Sequence, residues 1–260
     1  MTNNAYLAKI LNQYQMRNLS NYSNDIYKLH DIIKNWAGDN LLEIITSGSR
    51  AKNTAIHLAS DVDYLISLNT NTILENRDSL GSIFNSLYME LTKYYDKSII
   101  RKQNVSIRIN LSGLEVDITP ARKYADSSND HSLYIYKQNT WRKTNIEKHI
   151  NDITYSSRTS EIKLLKIWRE LHKIDFTSIY LEYLIIKLLY GKHYNDLENN
   201  FLYVLQQLSV ENNNILFSTL QDPANSNNYL SDSLDNSEKQ KIINQARNSI
   251  NSNEWTRIIW

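Results

Sequence analysis

The chain has no cysteine. Disulfides, thiolate nucleophiles and zinc–thiolate sites are therefore excluded. Proline and glycine are scarce, with 2 and 5 copies in 260 residues, so each glycine present carries information. Long hydrophobic runs are also missing. The longest are interrupted by lysine, as in Leu184-Ile185-Ile186-Lys187, and none nears the roughly 20 residues that span a bilayer. The opening Met1-Thr2-Asn3-Asn4 has no basic segment followed by an apolar one, so no secretory leader is expected. A cytoplasmic protein without a membrane partner is the expectation. Neither sign of charge dominates: the formal net charge is +1, which excludes a uniformly basic nucleic-acid coat but leaves room for a local basic cleft. The phosphate loop Gly-x4-Gly-Lys-Ser/Thr is absent too, which excludes a Walker-type nucleoside triphosphatase.

What is present divides into two halves. Apolar residues recur at helical spacing through Leu7, Ile10, Leu11 and Tyr14, then Ile26, Leu29, Ile32, Ile33 and Trp36, which predicts one or two helices. A turn at Ala37-Gly38-Asp39-Asn40 leads to a short strand over 41–46, stopped by Ser47-Gly48-Ser49. Residues 62–68 alternate like a strand, and 76–95 have helical periodicity. Strands are predicted near 98–102, 105–110, 114–120 and 133–137, with Gly113 as a turn. Beyond Trp141 the pattern is helical, over 146–172, 178–190, 196–208 and 237–250, with a polar loop at 225–236. The reading is an α+β chain, with a lobe of mixed sheet and helices over 1–125 and a helical lobe over 126–260.

The chemistry concentrates at Gly48-Ser49-Arg50-Ala51-Lys52-Asn53-Thr54-Ala55-Ile56 and Ser60-Asp61-Val62-Asp63. Strand geometry with period two points Asp61 and Asp63 to one face. Two adjacent carboxylates repel unless a cation sits between them. Hard oxygen donors of this kind suit Mg2+ (or Mn2+), which takes one or two carboxylates plus substrate phosphates. Asp117, on a later strand, could join them, and three carboxylates can hold two metals. Gly48 lets a backbone approach a phosphate closely, and Ser49 and the following amides can donate to it. A lone Asp-x-Asp is usually a solvated edge or turn. The ordered set is rarer: an apolar strand, Gly-Ser, a dozen-residue loop, Ser-Asp-x-Asp, then an apolar strand with Asp and Pro.

Those segments resemble the polymerase-beta nucleotidyltransferase superfamily. Val116-Asp117-Ile118-Thr119-Pro120-Ala121-Arg122 is similar to the third-carboxylate motif of one branch. That branch holds oligoadenylate synthetases, cyclic GMP–AMP synthase, bacterial cyclic-oligonucleotide synthases and archaeal-type CCA-adding enzymes. Leu164-Leu165-Lys166-Ile167-Trp168 resembles the helix whose Lys contacts the triphosphate in that branch. Thr177-Ser178-Ile179-Tyr180-Leu181-Glu182 resembles the next helix start, where a hydroxyl joins that Lys. Asp222-Pro223-Ala224-Asn225-Ser226-Asn227-Asn228 resembles a late motif of the branch.

The resemblance implies catalysis and metal binding by Asp61, Asp63 and Asp117, and triphosphate binding by Gly48, Ser49, Lys166 and Ser178 in a cleft between the lobes. It implies attack of a ribose hydroxyl on the α-phosphate of an NTP, with release of pyrophosphate. The product expected is a cyclic or linear oligonucleotide second messenger in anti-phage signalling, under an RNA or protein activator. The alternative is transfer to tRNA or another acceptor, including an antibiotic; a catalytically dead scaffold is a further rival. Asn53 departs from a common Gly, and no tRNA-holding C-terminal domain is recognisable. Without the resemblance, Lys166 is a solvated face residue and Ser178 an N-cap. Arg50 and Lys52 read as solvated loop cations, His149 and His172 as surface or packing residues, and Trp141 and Trp168 as core. Asp222 and Asn228 read as fixing a loop.

Overall fold

A computed structural model describes residues 2–59, 61–70, 79–125, 128–252 and 254–260. Ser60 of the motif, the start of the helix expected from residue 76, and residues 126 and 127 near the expected lobe boundary lie outside those described.

In chain order the first elements are helix α1 (Asn3–Gln13), helix α2 (Ser23–Ala37), strand β1 (Leu41–Ser47), one helical turn α3 (Gly48–Ala51), strand β2 (Val62–Leu68) and helix α4 (Leu80–Leu91). Strands β3 (Ile100–Lys102), β4 (Ile107–Leu111), β5 (Leu114–Lys123), β6 (His131–Ile135) and β7 (Thr140–Thr144) follow. Helices α5 (Ile146–Thr154), α6 (Thr159–Leu171), α7 (Ser178–Leu188) and α8 (Leu197–Ser209) come next. The hairpin β8 (Gln221–Asp222) and β9 (Asn225–Tyr229) precedes α9 (Asn236–Ile250) and α10 (Trp255–Ile258). The expected α+β class holds.

The chain forms two compact units. Asn18–Ala51 and Ser60–Lys148 form a sheet unit; Met1–Arg17, Lys52–Ala59 and His149–Trp260 form a mainly helical one. The sheet unit runs on to Lys148, past residue 125, because β6 pairs with β5 and β7 pairs with β6.

The sheet runs β1-β2-β5-β4-β3. β2 and β5 are parallel neighbours, with Asp63 opposite Asp117. The other edge of β5 takes β4 as far as Ile118 and β6 from Ala121 onward. Pro120 falls where neither strand pairs with that edge, a suitable place for a residue without an amide proton. β4 and β5 form a hairpin whose turn residues, Ser112 and Gly113, have φ of 52° and 92°. Positive φ at both positions is what a two-residue turn of matching twist requires.

Alternation decides what each face of the sheet does. Val62, Tyr64, Ile66 and Leu68 of β2, Val116 and Ile118 of β5, and Ile107 and Ile109 of β4 are buried against α2 and α4, which contribute Leu29, Ile33, Phe84 and Leu87. With a period of two, Asp63, Asp117, Glu115 and Arg108 lie on the opposite face. α4 begins where the Ser79 hydroxyl accepts from the Ser82 amide at 3.0 Å. In the helical unit, α1 and α5 to α10 share one core, with Trp168, Tyr180 and Phe201 fully buried in it. The segment 52–59 adds Ile56 to that core, and the His57 amide donates to Tyr14 O at 3.0 Å.

Several expectations need correction. The helix expected over 146–172 is two, α5 and α6, separated at Ser157 with φ of 58°. β7 was not visible in the sequence, and Trp141 on it is 58% exposed instead of core. The polar loop expected at 225–236 contains β9, paired with β8. Lys52, expected to be solvated, is buried.

Candidate active site

Asp63 lies on β2, and Asp117 is its register partner on β5. Asp61 sits just ahead of β2, not on the strand itself. Asp63 and Asp117 are therefore held by backbone pairing in the middle of a sheet. Asp117 is nearly buried, whereas the Asp61 side chain is 42% exposed. Burial nevertheless raises the Asp61 pKa; Glu115 and Asp117 push in the same direction, and Arg108 opposes them.

Gly48 follows β1 directly, at φ of +62°. A β-carbon built on it would stand 1.8 Å from Asp63 Oδ2 and 2.8 Å from Asp63 Cβ. The space over the bare α-carbon is thus taken up by the Asp63 carboxylate. Ser49 starts the single turn α3 beside it.

Sequence reasoning missed Arg108. It lies opposite Asp117 in the β4–β5 register. Its Nε donates to Asp117 Oδ1 at 2.9 Å, and its Nη2 donates to Asp117 Oδ2 at 2.5 Å and to Asp61 Oδ2 at 2.9 Å. Its Nη1 donates to Glu115, which also accepts from Arg101 at 3.0 Å. The hydrogen bond to Asp117 raises the guanidinium pKa still further, so the charge is permanent.

The donor set has the chemistry a hard divalent cation requires: carboxylate oxygens from adjacent strands, already bridged by a positive group. Asp61, Asp63 and Asp117 would hold such an ion. Among the described residues, no three His, Cys, Asp or Glu side chains already stand arranged to hold one. Arg108 spans Asp61 and Asp117 instead.

The helical unit carries a second polar cluster. Lys166 on α6 is only 2% exposed. Its Nζ donates to Glu182 Oε1 at 2.6 Å and to Thr54 Oγ1 at 2.9 Å. Lys52 Nζ donates to the other Glu182 oxygen at 2.5 Å, and the Thr54 hydroxyl donates to Oε1 at 2.7 Å. Two ammonium groups share one carboxylate. Burial works against the Glu182 charge, but the two lysines outweigh it and hold its pKa low, at about 2. Burial pulls Lys166 down to about 8, partly offset by Glu182, with Lys52 adding repulsion.

Ser178 opens α7, and its hydroxyl accepts from Arg169 Nη1 at 3.0 Å. Arg169, Lys173, Thr177 and Ser178 line a pocket of about 560 Å3. Asp222 fixes the β8–β9 hairpin, as the sequence suggested. It accepts from Asn228 Nδ2 at 3.0 Å and from the Ala224 amide at 2.9 Å, and lies 2.8 Å from His149 Nε2. His149 is a packing residue here and Trp168 is core, both as expected.

Residues 1–156 match the family of Second Messenger Oligonucleotide or Dinucleotide Synthetase domains. The chain belongs to this family. It is therefore a nucleotidyltransferase of the polymerase-beta-like, cyclic GMP–AMP synthase-like kind. Solved structures repeat the fold. CdnC of E. coli MS115-1, determined with ATP, superposes with a TM-score of 0.69 at 20% identity, over 94% of this chain and 88% of that one. CdnG of Bradyrhizobium diazoefficiens, in complex with GTP, gives 0.71 at 12% identity, over 98% and 94%. E. coli DncV in its 3'-deoxy GTP bound form gives 0.64 at 14%, over 80% and 62%. No curated protein matches the sequence. No helix among the described residues is long and apolar enough to cross a membrane.

Proposed function

We propose that this family member is a divalent-metal-dependent, template-independent synthetase that joins NTPs into a cyclic or linear oligonucleotide second messenger for anti-phage signalling. The observation that carries the reading is the in-register pair Asp63 and Asp117 on neighbouring parallel strands, with Asp61 one residue ahead of β2. In this reading a ribose hydroxyl attacks the α-phosphate, the bond to the β-phosphate oxygen breaks, and pyrophosphate leaves. Mg2+ or Mn2+ on the carboxylates would lower the pKa of the acceptor hydroxyl and neutralise charge on the leaving pyrophosphate. Asp117 takes the hydroxyl proton. Asp61 and Asp63 would hold the cation.

Gly48, Ser49, Lys166 and Ser178 serve the triphosphate. Lys166 is enclosed by Thr54 and Glu182, so its charge acts through the cluster it shares with Lys52. The ATP and GTP bound to CdnC and CdnG support NTPs as substrates here. The CdnC:HORMA-deltaN complex supports a protein partner here. The test is incubation of purified protein with labelled NTPs and Mg2+ or Mn2+, with and without RNA. Short phosphatase-resistant products without added RNA are expected. Label moving onto tRNA ends with no small product would overturn the messenger reading.

A further inference from the structure

Arg108 has an arrangement that a merely structural arginine does not need. Its guanidinium spans two of the three carboxylates that the chemistry assigns to a divalent cation. It also holds Glu115, which lies outside that trio and is fixed from its far side by Arg101. The guanidinium is thus poised between two acceptor sets on one sheet face. The Arg108 side chain is 18% exposed and Asp61 is open to solvent, so an incoming ion has access to the oxygens that Arg108 occupies. Like charges two residues apart, and opposite one another across paired strands, repel unless a cation stands among them. A cation is needed there whether or not metal is present.

We propose that Arg108 is the resident counter-ion of the catalytic carboxylates: it occupies Asp61 and Asp117 while no divalent cation is bound, and gives them up to an entering ion while keeping Glu115. This rests on the metal-site reading above. Metal binding then costs the breaking of the Arg108 contacts to Asp61 and Asp117, so the apparent affinity for the ion is set below what the carboxylates alone would give. Arg108 is a positioning residue, acting on the acidic groups and not on substrate.

The experiment is a Mn2+ titration of the metal-stripped 260-residue chain, following free ion by its electron paramagnetic resonance signal, for wild type, Arg108→Gln and Arg108→Lys. Arg108→Gln is expected to bind Mn2+ at least about 10-fold more tightly than wild type, a tenfold change being what a modest electrostatic competition amounts to. Arg108→Lys, which keeps the charge and loses the forked contact, should fall between them. Unfolding temperature gives an independent reading. Arg108→Gln should melt below wild type in chelator and recover on adding Mn2+, whereas wild type should gain less. If Arg108→Gln does not fold without metal, the comparison of Arg108→Lys with wild type decides. Equal or weaker binding by the variants would overturn the proposal and leave the metal site standing. No binding by any folded form, wild type included, would overturn the metal-site reading and the proposal with it.

Discussion

Replacing Gly48 with alanine separates two costs that the structure assigns to that position. The first is conformational: at φ of +62° an L-residue loses about 1–2 kcal/mol relative to glycine. Gly113 supplies a control, because its φ is +92° and nothing lies within 4 Å of a β-carbon built there. Gly113→Ala should therefore show the backbone cost alone, about 1–2 kcal/mol in urea unfolding. The second cost exists at Gly48 only. Its new methyl would stand 1.8 Å from Asp63 Oδ2 and 2.8 Å from Asp63 Cβ. Rotating the carboxylate away does not clear the second contact, since Asp63 Cβ is fixed by a strand paired on both sides. An off-rotamer Asp63 adds about 0.5–1.5 kcal/mol, and a displaced strand adds more. Gly48→Ala should thus lose about 2–4 kcal/mol in all. Because a misplacement near 1 Å can cost about 100-fold in rate, pyrophosphate release by the folded fraction should fall at least that far. Stability loss no greater than in Gly113→Ala, together with wild-type turnover, would refute the reasoning.

Asp63→Asn and Asp117→Asn should each lower pyrophosphate release by about 100-fold or more with an unchanged circular dichroism spectrum, and near-normal turnover in either would remove it from the site. Glu182→Gln leaves Lys52 and Lys166 buried without their anion, so urea midpoints should fall by an amount equal to about 3–5 kcal/mol. Lys166→Met should cost less, because Lys52 still pairs with Glu182. The low Glu182 pKa contributes stability above the unfolded carboxylate value and loses it as pH falls from 4.5 toward about 2, so Glu182→Gln should flatten stability over that acid window.

β2 was legible residue for residue, because Val62, Tyr64, Ile66 and Leu68 alternate with residues facing the other side. β7 was not, because Thr140-Trp141-Arg142-Lys143-Thr144 has no apolar alternation, and only its pairing with β6 makes it a strand. β9 is polar throughout and is held by tertiary bonds such as that from Asn228 to Asp222. The helix expected over 146–172 ignored the polar Tyr155-Ser156-Ser157-Arg158 step, where the chain turns through a positive φ. Arg108 could have been found. Counting back along both strands from the Ser112-Gly113 turn places it opposite Asp117, and Ile107 and Ile109 on either side face the core, so Arg108 must share the carboxylate face. The Lys52–Glu182 pair could not, since 130 residues separate its members and no local pattern announces it.

A formal net charge of +1 hides two local concentrations of charge, one acidic and one basic. On the sheet face, Asp61, Asp63, Glu115 and Asp117 stand against Arg108 and Arg101. In the helical unit, Lys52 and Lys166 share Glu182 alone. Neither concentration is cheap to maintain. Buried or facing like charges oppose folding, and apolar replacements of buried ion pairs are often no less stable. Stability therefore does not account for their retention. An NTP with its divalent cation presents one group of each sign: a cation for surplus carboxylates and a polyanion for surplus ammonium. In the proposed reading a divalent cation would neutralise the first and a polyphosphate the second, and the near-zero total is why composition alone was silent about them.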